Sequence, residues 1–212
     1  MKVKQIRVGN MEVFCYLVGD EATKTCALVD PAFETDRILE EVKSEGYTVT
    51  HVINTHGHFD HTSGNAAIIA ATQAKLLIHK QDAPQLKKLI SRAMMMMMGG
   101  KRSPEADVLL EEEDVIEIGE TTLTVIHTPG HTNGGICLYA PGHVFTGDTL
   151  FVGFVGRTDL PGGSGRTLGK SIREKLFALP EDTVVWPGHD YGEKPSSTVE
   201  YEKKNNNEVR ML

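Results

Sequence analysis

The chain of 212 residues is short of several things, and each shortage excludes a class of protein. It has only three cysteines, Cys15, Cys26 and Cys137, with no CxxC spacing, so a disulfide framework and a cysteine metal motif are both excluded. Each lies in an apolar stretch (VFCYLV, TCALVD, GICLYA) and reads as a buried thiol. No run approaches the ~18 uninterrupted apolar residues of a membrane helix. Basic residues are in deficit, 22 Lys+Arg against 29 Asp+Glu, and a net charge of −7 argues against nucleic-acid binding by bulk charge. The N-terminal MKVKQIRV alternates like a strand and lacks the continuous apolar core of a signal peptide. The expectation is a reduced, cytoplasmic protein, a monomer or small homo-oligomer, that binds neither membrane nor nucleic acid.

What is present is an ordinary globular mixture, 40% hydrophobic and 24% charged, able to bury a core. Periodicity predicts strands at 2–8, 11–18 and 25–30, a helix at 34–45, a strand at 49–55, a helix at 62–71 and a strand at 75–79. A helix is expected from Pro84 toward the methionines. The second half repeats the pattern, with strands at 114–118, 121–127, 135–140, 143–147 and 183–186. Helices are expected there at about 167–178 and at 197–204, the last with Ser197 and Glu200 in capping-box relation. Strands followed by helices in both halves, with no linker between them, predict one α/β domain over residues 1–212. Two mixed sheets would face each other with helices outside, a four-layer αββα sandwich. Met94–Met98 followed by Gly99-Gly100 reads either as a helix end packing flexible side chains or as an apolar lid.

Histidine is the residue in excess, with nine in the chain. Thr55-His56-Gly57-His58-Phe59-Asp60-His61 sets three imidazoles and a carboxylate between a predicted strand and a predicted helix. His56 and His58, two apart in extended chain, point to one side. Such crowding is costly unless a cation binds. Three further candidates follow strand-like runs beside glycines: His131 in TPGHT, Asp148 in TGDT and His189 in PGHD.

With LVDPA, which contains Asp30, these segments occur in the order seen in the metallo-β-lactamase superfamily, which the chain resembles over nearly its whole length. The resemblance implies that His56, His58 and His131 hold one metal. It implies that Asp60, His61 and His189 hold a second, with Asp148 bridging the two and Asp30 supporting the metal loop. His51, His79, His127 and His143 are left with structural or surface roles; His127, close to His131, is also a candidate to orient that ligand.

Imidazole and carboxylate ligands without thiolate suit two divalent metals, Zn²⁺ first, with Fe or Mn also compatible. The expected nucleophile is a metal-bound hydroxide oriented by Asp60. Two such ions outweigh the two aspartates and leave a cationic pit in an acidic protein.

Residues 145–180, FTGDTLFVGFVGRTDLPGGSGRTLGKSIREKLFALP, resemble the glyoxalase II branch, the hydroxyacylglutathione hydrolases, which cleave thioesters such as S-lactoylglutathione. Arg157 is a candidate contact for a substrate carboxylate or a partner of Asp159, and Tyr191 a candidate hydrogen-bond donor or a packing ring. Only a helix and a tail follow His189, whereas the larger enzymes of that branch add a helical domain that grasps glutathione. The alternatives are an iron-dependent persulfide dioxygenase, which shares the GRTD stretch, and a promiscuous metallohydrolase with weak lactamase or esterase activity.

Overall fold

The sequence of buried residues already separates three apolar layers, and the strands explain why. In the computed structural model, which describes residues 1–87 and 102–212, the segment Val13–Gly19 (β2) is buried at every position. Its side chains alternate between two cores: Val13, Cys15 and Leu17 face one way, Phe14, Tyr16 and Val18 the other. A strand with two apolar faces must be covered on both sides.

β2 lies in a six-stranded sheet with Lys2–Val8 (β1), Thr25–Val29 (β3), Thr48–Asn54 (β4), Lys75–His79 (β5) and Val108–Leu110 (β6), in that order across the sheet. The first two pairings are antiparallel and β3 to β6 run parallel. The second sheet has the order β12-β11-β10-β9-β8-β7. Its strands are Val115–Ile118 (β7), Thr121–His127 (β8), Ile136–Ala140 (β9), His143–Gly147 (β10), Val184–Pro187 (β11) and Ser197–Thr198 (β12). Only β10 and β11 pair in parallel there.

The middle core joins the sheets, with Phe14, Tyr16, Val29 and Ile53 on one side and Leu123, Val125, Leu138 and Phe145 on the other. Outside the first sheet pack Thr35–Ser44 (α1), Phe59–Thr62 (α2) and Asn65–Thr72 (α3), with Ile38, Val42 and Ile68 inward. Outside the second pack Gly165–Ser171 (α4), Val199–Asn205 (α5) and Asn207–Met211 (α6), with Leu168, Val199 and Val209 inward. The expected αββα sandwich of two mixed sheets is the architecture observed. All three cysteines are free and buried, as their apolar settings imply.

Several boundaries differ from expectation. The helix expected over 62–71 begins earlier, at Phe59, and is broken at Ser63-Gly64. The break is steric: the Gly64 N–H donates to the Pro31 carbonyl, and a Cβ there would lie 2.3 Å from the Ala32 oxygen. Pro84 is the second residue of a 3₁₀ turn over Ala83–Lys87, and the rest of its expected helix, with Met94–Met98, lies outside the described residues. The helix expected at 167–178 is capped by Ser164, starts at Gly165 and ends in a π turn, Ile172–Leu176. At the end of the chain Thr198, not Ser197, caps α5, and the Ser197 hydroxyl is given to Glu202 instead. β6 and α6 were not expected at all.

Candidate metal centre

The candidate ligands gather where strands end. β4 stops at Asn54 and delivers His56 and His58 in extended chain, then Asp60 and His61 in α2. His131, Asp148 and His189 follow β8, β10 and β11 of the other sheet. The two sheets meet there through Ile136 N–H to Thr55 O (2.9 Å) and Phe14 N–H to Gly188 O (2.8 Å). Gly188 permits the approach, since a Cβ there would lie 2.4 Å from Asp148 Oδ1.

Three groups of side chains lie close enough to hold a metal ion: His56, His58 and His131; Asp60, His61 and His189; and Asp30, His56 and His61, the last with its carboxylate already taken up by Thr55 and His61. Asp148 stands between the first two. Its Oδ2 is 3.4 Å from His131 Nε2 and 4.0 Å from His56 Nε2. Its Oδ1 is 3.3 Å from His61 Nε2 and 3.5 Å from His189 Nε2. That buried Oδ1 nonetheless makes no hydrogen bond of acceptable geometry. Asp60 Oδ2 lies 3.6 Å from His189 Nε2.

Neighbouring acceptors set the imidazole tautomers, and this tests whether a cation fits. His61 Nδ1 faces Asp30 Oδ2 at 2.9 Å, His189 Nδ1 faces Met11 O at 2.7 Å, and His131 Nδ1 faces Arg157 O at 2.7 Å. Each Nδ1 must therefore donate, which leaves Nε2 with a lone pair when the ring is neutral. Yet His61 Nε2 and His189 Nε2 are 3.1 Å apart. His131 Nε2 is 2.9 Å from His58 Nδ1, itself 3.1 Å from His56 Nε2. Converging lone pairs and an unpartnered carboxylate oxygen suit metal ions at both points.

Charge is distributed unevenly over these groups. Burial pushes His56 well below the usual imidazole range and His58 down to about 4. Burial opposes charge on His61 too, but the carboxylates of Asp148, Asp30 and Asp60 raise it well above that range. Asp148, although burial acts against its charge, is held well below the carboxylate range by His189 and His61.

Asp30 occupies the supporting place expected of it. Its carboxylate accepts from Thr55 N–H (2.8 Å), Thr55 Oγ1 (2.6 Å) and His61 Nδ1, so its lone pairs are committed. Arg157 lines the cleft of ≈ 860 Å³ beside the ligands, but its guanidinium forms a two-pronged pair with Asp159 (2.8 and 2.7 Å). Its carbonyl, not its charge, reaches the centre. Tyr191 stacks on His189 (4.5 Å between centroids, 14°) and donates to Met11 O at 3.3 Å. Burial pushes its phenol up to about 12, so the hydroxyl stays protonated and able to donate.

The other histidines lie apart. His79 stacks on His127 at 4.1 Å, and burial lowers His79 to about 4. His127 Nε2 faces Asn133 O and touches no ligand. His143 accepts from Trp186 Nε1, and His51 pairs with Thr50.

Sequence reasoning missed Asp82, which is buried and accepts from Gly57 N–H and Gly134 N–H, both at 2.8 Å. It also missed the Met11 and Arg157 carbonyls, which act through backbone atoms and leave no residue-type signal. Phe151 and Phe154, which line the cleft, were hidden in an ordinary apolar run.

Comparison with known proteins places this geometry. Residues 8–189 match the Metallo-beta-lactamase superfamily model. A hydroxyacylglutathione hydrolase of Polaromonas sp. is 37% identical over 196 residues, which cover 90% of this chain and 67% of that one. The mitochondrial persulfide dioxygenase ETHE1 of Homo sapiens is 34% identical over 193 residues, 90% of this chain and 68% of that one. The crystal structure of TTHA1623 in a di-iron-bound form superposes with a TM-score of 0.84 at 31% identity, covering 96% of this chain and 98% of that one. The shared family and the His/Asp groups imply divalent metals at this edge of the sandwich. The chain belongs to the metallo-beta-lactamase superfamily.

Proposed function

We propose that the protein is a dinuclear metal-dependent hydrolase of thioesters of the hydroxyacylglutathione type, S-lactoylglutathione among them. The observation that carries this reading is Asp148, whose two oxygens face two separate ligand groups. A carboxylate so placed suits a pair of ions rather than one. The hydroxyacylglutathione hydrolase among the relatives supports the substrate class.

In this reading His56, His58 and His131 would hold one ion and Asp60, His61 and His189 the other, with Asp148 placed to serve both. Zn²⁺ suits the thiolate-free donor set best, with Fe or Mn tolerated. When bound, the pair supplies Lewis acidity and a water whose pKa falls to about 7. Asp60, at the cleft wall, accepts a hydrogen bond from the attacking water and fixes its direction. The Nδ1 contacts of His61, His131 and His189 keep their Nε2 atoms aimed inward through the reaction. Phe151, 5% exposed and edge-on to His189, shields one side of the centre from bulk water. The proposal includes one catalytic domain over residues 1–212, working on a small molecule in the cytoplasm as a monomer or small homo-oligomer, without nucleic acid or membrane partners.

The ETHE1 relative, of nearly equal identity and coverage, favours a second reading: an iron-dependent persulfide dioxygenase on the same ligands. Metal analysis of protein purified without added metal separates the two. The hydrolase reading expects two divalent ions per chain and S-lactoylglutathione hydrolysis, with Asp148→Ala losing both the activity and the second ion. One iron per chain, with O₂ consumed on glutathione persulfide, would assign the dioxygenase instead.

A further inference from the structure

One wall of the cleft, beside the candidate ligand His189, is built from a tight reversal after β10. Leu150 bridges Val155 in antiparallel fashion, and Phe151 N–H donates to Phe154 O at 3.0 Å. This presents Phe151, Phe154 and Val155 to the cleft, facing Tyr191, Leu160 and Pro161. Phe151 meets Tyr191 edge to face at 5.6 Å. Phe154 and Tyr191, which both line the cleft, remain 45% and 48% exposed.

The reversal is fastened from the C-terminal helices. Buried Glu202 accepts from Gly153 N–H (3.3 and 3.1 Å), from Ser197 Oγ and from Asn206 Nδ2. Asn206 Nδ2 also donates to Phe154 O (3.0 Å), and Glu208 Oε2 accepts from Val155 N–H (3.1 Å). Three consecutive residues thus have main-chain groups tied by side chains, so the apolar wall is preformed.

Charge in this wall is sparse. Apart from the candidate ligands, the charged side chains lining the cleft among the described residues are Arg157 and Glu208. Arg157 is held by Asp159 and Glu208 by Val155. The basic residues of the C-terminal segment are spent elsewhere: Lys203 pairs with Glu181, Lys204 with Glu200, and Arg210 donates to Lys204 O. None of them lines the cleft.

We propose that this preformed wall, with Phe151, Phe154 and Tyr191 at its centre, selects an uncharged, apolar substrate arm over the charged arm of a glutathione conjugate. The inference rests on the hydrolase reading for the bond that is cut, and it narrows the thiol that bond joins. A glutathione arm, with two carboxylates and one ammonium, would set net negative charge against apolar rings, the Glu208 carboxylate and an Arg157 already paired with Asp159, whereas a short uncharged arm has no charge to desolvate.

The test is calorimetric titration of the metal-replete protein with two uncleavable thioethers sharing an S-hexyl group, S-hexylglutathione and S-hexyl-N-acetylcysteamine. The uncharged ligand is expected to bind about ten-fold more tightly or better. Equal or tighter binding of S-hexylglutathione overturns the inference. Phe154→Ala, a half-exposed position that leaves the fold intact, is expected to weaken the uncharged ligand by about ten-fold. An unchanged affinity in that variant also overturns it. Neither ligand is cleaved, so these outcomes stand whether or not any thioester is hydrolysed; failure to hydrolyse lactoyl thioesters of either thiol counts against the hydrolase reading alone.

Discussion

Between His56 and His58 the Gly57 N–H donates to Asp82 Oδ2, while the other oxygen of that carboxylate takes the Gly134 N–H. One buried side chain therefore fixes the spacing of two ligand loops that come from different sheets. Asp82→Asn replaces an acceptor oxygen with an NH₂ group facing an N–H, and one of the two loops is released. We expect metal affinity to fall about 10–100-fold, as when other groups that orient ligands are removed. Competition with a chromophoric chelator measures this, and an unchanged far-ultraviolet circular dichroism spectrum shows that the fold persists. The ligands themselves were legible in the sequence because four fall within one heptapeptide and each of the rest sits beside a glycine after a strand. Asp82 was not legible, since its partners lie 25 and 52 positions away and only the folded sheets bring them close.

Element by element, strands with two apolar faces read most clearly, because long β-branched runs have few alternatives. Breaks and caps read worst, because tertiary contacts decide them. Gly64 interrupts a helical pattern to reach Pro31, and Ser197 yields its capping place to Thr198 while its own hydroxyl goes to Glu202. β6, three residues with Val108 and Leu109 exposed, shows no alternation long enough to register. In the sequence the end of the chain reads only as a helix and a tail, yet α5 and α6 anchor the cleft wall through Glu202 and Glu208. Glu202→Ala leaves the Gly153 N–H, the Ser197 hydroxyl and the Asn206 amide without their shared buried acceptor. We expect a cost of about 3 kcal/mol and, for a chain of this size, a Tm lower by roughly 6–12 °C. Scanning calorimetry checks it, and Glu202→Gln, which keeps one acceptor oxygen, should recover part of the loss.

Across the whole molecule the candidate centre works as a clamp between the sheets. Each ligand group takes members from both: His56 and His58 with His131, and Asp60 and His61 with His189. Ions bound there favour the docked sandwich over the unfolded chain by mass action. Chelation is therefore expected to lower Tm, and added metal to restore it in a concentration-dependent way. The gain should reach about 4 kcal/mol when free metal is about a thousand times the dissociation constant. A Tm indifferent to chelator and to added Zn²⁺ or Fe²⁺ would contradict the clamp.

The split parentage of each ligand group also orders events in time. A nascent chain that has formed only its first sheet owns two members of each of these groups, and the one trio it holds by itself, Asp30, His56 and His61, has its carboxylate engaged by Thr55 and His61. The second sheet contributes the missing histidines and Asp148 only after residues 121–189 have been laid against the first. Unlike small domains that a metal nucleates, this chain admits its ions as a late act. Ion uptake during refolding should thus trail the burial of Phe14, Tyr16 and Phe145, and serve as a signal that assembly is complete.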